Sequence, residues 1–383
     1  MSRADTVLIP LIHVCLVSAQ PIPNLIPLRM EELRPDRVIL LVSPDMQIQA
    51  DRLEKVIKGW GIKIERVPVV PYNLDAARET CMTILAENKD SDIILNATGG
   101  TKIMAFAAFE VFREQEKKII YVDTQDNRID VLSPERKKIE FKGVMKVSQY
   151  LAAYGQNIIY ETHEEDIPTS HWSAIEAILK DAEKLEKGIG ILNRYAAPLR
   201  NARTFPLEIN IENEDLENKQ FQEIVSILST YSLLSLREMR IKFPSLSSVE
   251  FSSGGWLEEY IFRIVKSLNP TDLRMNVEVK WARPAESKNE YDILFTISNR
   301  LYIIECKTKR FSGKDVNHFG EDSIYKLDSL RDAAGGLYGK GMLVSYRRLT
   351  EDQKRRLKAN RLEFCEGPNI KLLKERIIEW IQR

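Results

Sequence analysis

Asp292, Glu305 and Lys307 are the residues whose types and spacing most directly imply chemistry. They lie in two apolar runs, Tyr291-Asp292-Ile293-Leu294-Phe295 and Tyr302-Ile303-Ile304-Glu305-Cys306-Lys307, on either side of Ser298-Asn299, residue types that close a tight hairpin. With those two as the central pair, Asp292 falls opposite Glu305. Directly opposed side chains on one sheet face sit roughly 4.5 to 5.5 Å apart at Cβ, and two carboxylates so placed repel unless a cation lies between them. The two-residue period of a strand keeps Lys307 on the Glu305 face and turns Cys306 away. Carboxylates in this arrangement hold a hard divalent cation with its water, and the cation offsets charge developing on a phosphate oxygen. The lysine ammonium orients the attacking water or offsets the same charge.

A third acid comes from the preceding helix, where Glu258 shares a face with Ile261, Phe262 and Val265. A carboxylate on an apolar helix face is costly unless it meets a cation, so Glu258 is a candidate metal ligand, whereas Glu259 faces Arg263 and is expected to be solvated. The plain alternative is that Asp292 ends a strand and Glu305 with Lys307 forms an ordinary ion pair. Against it stand the acid one hairpin earlier and the glutamate-bearing helix before both. Lys326, Asp328 and Arg331 on the next helix either reach a phosphate backbone or solvate a helix face.

A second constellation lies near the start of the chain. Asn96-Ala97-Thr98-Gly99-Gly100-Thr101-Lys102 follows an apolar strand and opens the apolar helix Ile103 to Phe112. Glycines let a ligand approach the backbone, a helix N-terminus offers unpaired N–H donors, and Thr101 and Lys102 add a hydroxyl and a cation, which suits a phosphate-bearing or nucleotide ligand. The segment is neither a GxxxxGK[ST] loop nor GxGxxG, so ATP hydrolysis and NAD chemistry are disfavoured. Ser18-Ala19-Gln20-Pro21-Ile22-Pro23-Asn24 leaves the first strand, and Asp123 and Thr124 end the fourth; in a parallel sheet all three segments share one mouth. Otherwise Gly99-Gly100 is only a tight strand-to-helix turn.

The elements that position these residues are α/β throughout. Runs at His13 to Ser18, Arg37 to Ser43, Asp92 to Asn96 and Lys118 to Asp123 read as strands, with helices at Asp45 to Gly59 and Leu74 to Glu87 between them, which predicts a mainly parallel sheet covered on both faces. Asp126 to Ile139 reads as a hairpin. Ser173 to Lys187 is helical by spacing, Asn193 to Asn218 is a polar linker or insertion, and Phe221 to Phe243 makes one or two short helices, or a winged helix. After Gly254-Gly255 come a helix to about Leu268 and strands at Arg274 to Trp281, Tyr291 to Ile297 and Leu301 to Lys307. A helix at Tyr325 to Ala334, a strand at Gly341 to Ser345 and two terminal helices complete the chain. This divides it into 1–150, a mostly helical connector 151–250, and a second α/β domain 251–383.

At 383 residues two or three domains are expected at about 150 each. Lysine plus arginine equals aspartate plus glutamate at 56 each, so nucleic acid must be met by locally segregated charge. Cys15, Cys81, Cys306 and Cys365 form no CxxC pair, which argues against a structural zinc and for a reducing, cytoplasmic setting. No apolar run of about 18 residues occurs, which disfavours a membrane span or a secretory leader.

The Asp292, Glu305 and Lys307 spacing resembles the PD-(D/E)xK nuclease superfamily, with Tyr291 in place of its proline. That resemblance implies that the backbone carbonyl of Cys306 joins Glu258, Asp292 and Glu305 as a metal ligand. Ser18 to Asn24 with Leu25-Ile26-Pro27-Leu28, and Asn96 to Lys102, resemble the CARF domain, the CRISPR-associated Rossmann fold that senses cyclic oligoadenylates. Gly254-Gly255-Trp256-Leu257-Glu258-Glu259-Tyr260 and Tyr325-Lys326-Leu327-Asp328-Ser329-Leu330-Arg331 resemble the nuclease half of the CRISPR-associated CARF-nuclease family.

The likeness implies a homodimeric endonuclease, dependent on Mn2+ or Mg2+, that cuts DNA or RNA in type III CRISPR immunity when cyclic tetra-adenylate binds between two CARF domains. Ser18, Gln20, Pro21, Asn24, Asn96, Thr98, Gly99, Gly100, Thr101, Lys102, Asp123 and Thr124 would then line the ligand, and Asp292, Glu305, Lys307 and Glu258 would be catalytic. Two rivals are a ligand-responsive DNA-binding regulator using residues 221 to 250, and a ring nuclease that degrades the cyclic ligand itself.

Overall fold

The computed structural model describes residues 9–202, 205–281, 288–308 and 316–383, with the side chains of 316–322 and of 368 left aside. Strand β1 (Leu11–Leu16) lies inside a seven-stranded sheet, third from one edge. Around it β2 (Arg37–Val42), helix α1 (Gln47–Lys58), β3 (Lys63–Pro68), α2 (Leu74–Glu87), β4 (Asp92–Asn96), α3 (Lys102–Glu114) and β5 (Lys118–Asp123) alternate in sequence. The spatial order is β3-β2-β1-β4-β5-β6-β7. The first five strands run parallel, and β6 (Arg128–Ser133) and β7 (Lys137–Glu140) close the edge as an antiparallel hairpin. The chain order reverses at β1, so the polar segments after β1 and β4 meet beyond adjacent carboxyl ends. Strand β3 is not legible in the sequence: its Lys63, Glu65 and Arg66 break the apolar run because the strand lies at an edge and is half-exposed.

Helix α4 (Val147–Ala153) leads into β8 (Gln156–Thr162), which adds to the second sheet as the outer neighbour of the strand Asp272–Trp281, so the segment expected as a connector begins with a strand of the C-terminal half. Helices α5 (Thr169–Lys180) and α6 (Glu186–Ala196) follow. Then come β9 (Leu207–Asn210), a short helix Asn213–Leu216, α7 (Lys219–Thr230) and the hairpin β10 (Ser235–Arg237) to β11 (Arg240–Phe243). Their sheet order, β10-β11-β9, is that of a winged helix. The expected polar linker 193–218 therefore holds the end of α6, a strand and a helical turn. Phe221 to Phe243 is one helix and a hairpin, because after Tyr231 the buried residues alternate, Ile241 and Phe243 facing in.

The remaining elements are α8 (Trp256–Lys266), β12 (Asp272–Trp281), β13 (Lys288–Ile297), β14 (Arg300–Lys307), α9 (Val316–Gly335), β15 (Lys340–Ser345), α10 (Glu351–Ala359), β16 (Glu363–Glu366) and α11 (Leu373–Gln382). They form a six-stranded sheet ordered β16-β15-β14-β13-β12-β8. One face, with Tyr302, Ile304 and Cys306, packs on α8, α11 and the winged-helix unit. The other, with Leu301 and Ile303, packs on α4, α9 and α10 and continues into the core of the N-terminal domain. Leu327, Leu330 and Ala334 repeat on one side of α9 and are buried there, at roughly 2 kcal/mol for each leucine.

The two domains are also pinned at the β13–β14 turn. Ser298 and Asn299 have φ of 49° and 58°, the left-handed pair of a tight hairpin turn. The Asn299 side chain accepts from the Val144 and Met145 N–H groups at 2.7 and 3.0 Å, and Tyr150 donates its hydroxyl proton to the Asn299 carbonyl at 2.9 Å.

Candidate active site and ligand mouth

The hairpin register runs from Ile297 opposite Arg300 to Ile293 opposite Ile304, and one further step sets Asp292 opposite Glu305, as expected. Asp292 accepts the Cys306 N–H at 2.6 Å. Glu305 is 1% exposed; one carboxylate oxygen takes Lys307 Nζ at 2.6 Å and Lys326 Nζ at 3.3 Å, and the other, Oε2, has no hydrogen-bond partner. An unpartnered buried carboxylate oxygen is costly, and it marks where a cation would be most stabilised.

Burial, then the Glu305 and Glu258 charges, hold the Asp292 carboxyl well above the usual carboxylate range. Burial, with Glu290 and Glu305 adding to it against Arg200 and Lys307, pushes Glu258 up to about 7. Burial opposes the charge on Lys307, but the Glu305 and Asp292 carboxylates outweigh it and raise its pKa. Lys307 thus stays protonated and serves as a cation, not as a general base. Burial pushes the Cys306 thiol well up as well, so no thiolate is on offer.

The facing pair has the hard oxygen donors that a divalent ion takes. Among the described residues no group of three or more His, Cys, Asp or Glu side chains is drawn into a metal cage. Glu258 stands beside the pair without closing one. Magnesium-type sites commonly use one or two carboxylates and keep several waters, so the pair fits such an ion.

The sequence missed three neighbours of this site. Glu259, expected to be solvated, is 9% exposed and takes Nδ1 of the fully buried His171 at 2.9 Å, while Arg263 pairs with Glu176 instead. The helical spacing misleads because α5 covers that side of α8. Asn193, on α6, meets the Thr308 hydroxyl directly after Lys307 at 3.1 Å. Arg200 donates to Ser253 in the turn before α8. All three contacts cross from the inserted unit, and no local spacing signals them. Of the outer cations, Lys326 reaches Glu305, whereas Arg331 is engaged by Asp328 and Asp332.

At the N-terminal mouth, Asn24 donates to the Leu16 carbonyl at 2.9 Å, and Asn96 to the Pro23 carbonyl at 2.9 Å, tying the β1 and β4 loops together. Thr98 binds the Asn96 carboxamide through its N–H and hydroxyl at 3.1 and 2.6 Å. The Thr101 hydroxyl caps α3 by accepting from the Met104 N–H at 3.2 Å. The Ser18 hydroxyl closes a small turn on the Gln20 backbone. Pro21 is buried, Lys102 is exposed, and the buried Thr124 hydroxyl has no partner. Asp123 is engaged elsewhere, by the Gln125 and Asp126 N–H groups and by Arg128 at 2.8 Å.

Gly100 has φ +73°, and a Cβ on Gly99 would fall 2.1 Å from the Leu16 carbonyl oxygen. Gly99→Ala is therefore expected to push the two loops apart and weaken ligand binding at least about tenfold, roughly 1.4 kcal/mol. Titration calorimetry with cyclic tetra-adenylate, the ligand that the sequence resemblance implies, checks this; unchanged affinity would place any such ligand away from this mouth.

A Rossmann-like sheet is thus joined to a sheet that carries facing acids on a hairpin, the arrangement expected of a nuclease with a sensing half. Residues 12–150 match the Card1 CARF domain family, and residues 246–383 match the family described as Card1-like, endonuclease domain. Between them they span most of the chain, which belongs to the CRISPR-associated CARF-domain nucleases.

Among solved structures, protein VC1899 from Vibrio cholerae is similar at TM-score 0.89 with 24% identity over 97% of this chain and 98% of that one. Can2 from Sulfobacillus thermosulfidooxidans, solved in complex with cyclic tetra-adenylate, is similar at TM-score 0.80 with 29% identity, over 97% and 99%. A type III CRISPR defence DNA nuclease activated by cyclic oligoadenylate shares the fold at TM-score 0.56 and 17% identity, over 91% of this chain and 48% of that one. No curated protein matches by sequence. Among the described residues no helix is long and apolar enough to cross a membrane.

Proposed function

We propose that the chain is a divalent-metal-dependent endonuclease that hydrolyses phosphodiester bonds of DNA or RNA in type III CRISPR defence. Its activator is a cyclic oligoadenylate, cyclic tetra-adenylate in particular, held in the CARF mouth. The observation that carries the reading is Glu305: fully enclosed, facing Asp292, tied to Lys307 and left with one free carboxylate oxygen. Asp292 and Glu305 would hold Mn2+ or Mg2+, with Glu258 and the Cys306 carbonyl as further donors. A bound ion there supplies Lewis-acid stabilisation of the phosphate and a more acidic water. Lys307 would present its positive charge to the same phosphate, where a partly buried setting strengthens it relative to water.

A homodimer is supported by apolar surface on the CARF domain. Phe106 is 65% exposed and Met82 50%, on the neighbouring helices α3 and α2, and Tyr72 before α2 is 77% exposed. Exposed apolar groups concentrated on one pair of helices mark an association surface. The winged-helix order of the inserted unit keeps the regulator alternative concrete. Yet the exposed side of α7 carries Lys219, Gln222, Glu223, Ser226, Ser229 and Thr230, without the basic stripe that grips a phosphate backbone.

The deciding experiment is cleavage of labelled single-stranded DNA, single-stranded RNA and plasmid with Mn2+, with and without cyclic tetra-adenylate. Cleavage that requires both is expected. Equal rates with and without the ligand would remove the switch, and disappearance of the ligand itself would favour the ring nuclease.

A further inference from the structure

We infer that Tyr154 and Gln20 are positioning residues that hold helix α9 in its resting register against the nuclease carboxylates, so that ligand recognition at Gln20 releases cleavage through this one helix. The inference rests on the ligand-switched nuclease reading above. Its basis is that α9 is gripped at two places, once by the CARF mouth and once by the active site.

At its C-terminal end the Gln20 carboxamide oxygen accepts two hydrogen bonds, from the Tyr154 hydroxyl at 3.0 Å and from the Leu337 N–H at 3.3 Å. The Tyr154 hydroxyl also lies 3.3 Å from the carbonyl of Gly335, the last residue of α9. Nine residues earlier Lys326 Nζ sits 3.3 Å from Glu305, about 14 Å away along the helix at 1.5 Å per residue. Between these points Leu327, Leu330 and Ala334 are buried against the sheet, so the segment moves as a unit or not at all.

The chemistry at the CARF end allows only two arrangements. A tyrosine hydroxyl has one proton to donate, so Tyr154 shares it between Gln20 in the mouth and Gly335 at the helix end. A ligand that takes the Gln20 carboxamide must compete with both donors. Once Gln20 turns away, the Tyr154 hydroxyl keeps only its longer, 3.3 Å contact with the Gly335 carbonyl, and the Leu337 N–H loses its acceptor. The end of α9 then has a different set of bonds, which is the differential interaction that a switch requires.

Gly336 shows how closely this joint is fitted. It has φ +53°, and a Cβ there would lie 2.4 Å from the Tyr154 hydroxyl and 2.5 Å from the Gln20 oxygen. Leu337 beside it is 79% exposed, so this turn of the endonuclease domain lies at the surface next to Gln20.

Tyr154→Phe removes the hydroxyl and leaves the ring stacked beside Tyr150. Freed of one competing hydrogen bond, Gln20 should bind ligand more tightly. Cyclic tetra-adenylate affinity by calorimetry is expected to rise about fivefold, and ligand-independent cleavage to rise with it, because the released arrangement is then more populated without ligand. Cleavage at saturating ligand should stay within about twofold. Gly336→Ala, which forces Tyr154 and Gln20 apart without removing either, should move the same two quantities in the same direction.

A purely structural role for Tyr154 would lower the melting temperature without tightening ligand binding. Affinity and basal cleavage at wild-type values in both variants, with the wild type still activated by ligand, would overturn the inference alone. A wild type indifferent to the ligand would overturn the proposed function and this inference with it.

Discussion

Glu305→Ala is expected to lower cleavage of every susceptible substrate by about a thousandfold or more, while the chain still binds cyclic tetra-adenylate. The size follows from what is lost: the carboxylate with the free Oε2, and with it the group that fixes the Lys307 ammonium at 2.6 Å. Deleting one preorganised electrostatic group in a water-excluded site costs about a hundred- to a thousandfold in rate, and here the same deletion also removes half of the facing acid pair. Glu305→Gln keeps the shape and the lysine contact but not the charge, so it should be nearly as inactive; a variant held together only by packing would recover. Cleavage by Glu305→Ala within tenfold of wild type would refute the site. Metal-independent DNA binding that survives in this variant, with cleavage absent in the wild type, would instead favour the regulator.

The candidate catalytic hairpin was legible because everything that fixes it is local. Ser298-Asn299 sets the turn, the strand period sets the faces, and both lie within sixteen residues, so the Asp292 to Glu305 opposition could be counted out from the sequence. The CARF loops were legible for a similar reason, since Gly99-Gly100 signals a close backbone approach whatever surrounds it. What escaped depends on tertiary neighbours. Glu259 reads as solvated on its own helix and is buried only because α5 brings His171 against it. Strand β8 belongs to the C-terminal sheet although more than a hundred residues separate it from its partner β12. The Gln20 contact with Leu337 spans 317 residues. Even β3 follows this rule, since an edge strand needs few apolar residues and so leaves little pattern.

Asp292→Asn is expected to make the metal-free protein more stable at neutral pH, and to remove any stabilisation that Mn2+ gives the wild type. The Asp292 carboxyl is held well above its ordinary range in the folded chain, chiefly by burial and then by Glu305 and Glu258, and Glu258 is displaced the same way, to about 7. The folded state therefore binds more protons than the unfolded state between the ordinary and the raised pKa. Stability from these groups is fully present below about pH 4, their unfolded range, and falls as the pH rises toward their folded values.

Asparagine keeps the oxygen that accepts the Cys306 N–H and drops the charge, so its advantage over aspartate should grow from pH 4 to pH 8, reaching on the order of 1–3 kcal/mol. A bound divalent ion reverses the sign, because it favours the ionised carboxylates and stabilises only the folded chain by mass action. Thermal unfolding of both proteins at pH 5 and pH 8, each with and without Mn2+, separates the two effects. Equal melting temperatures at pH 8 without metal would mean that the acid pair carries no strain, and an Mn2+ shift of the same size in Asp292→Asn would put the ion somewhere else.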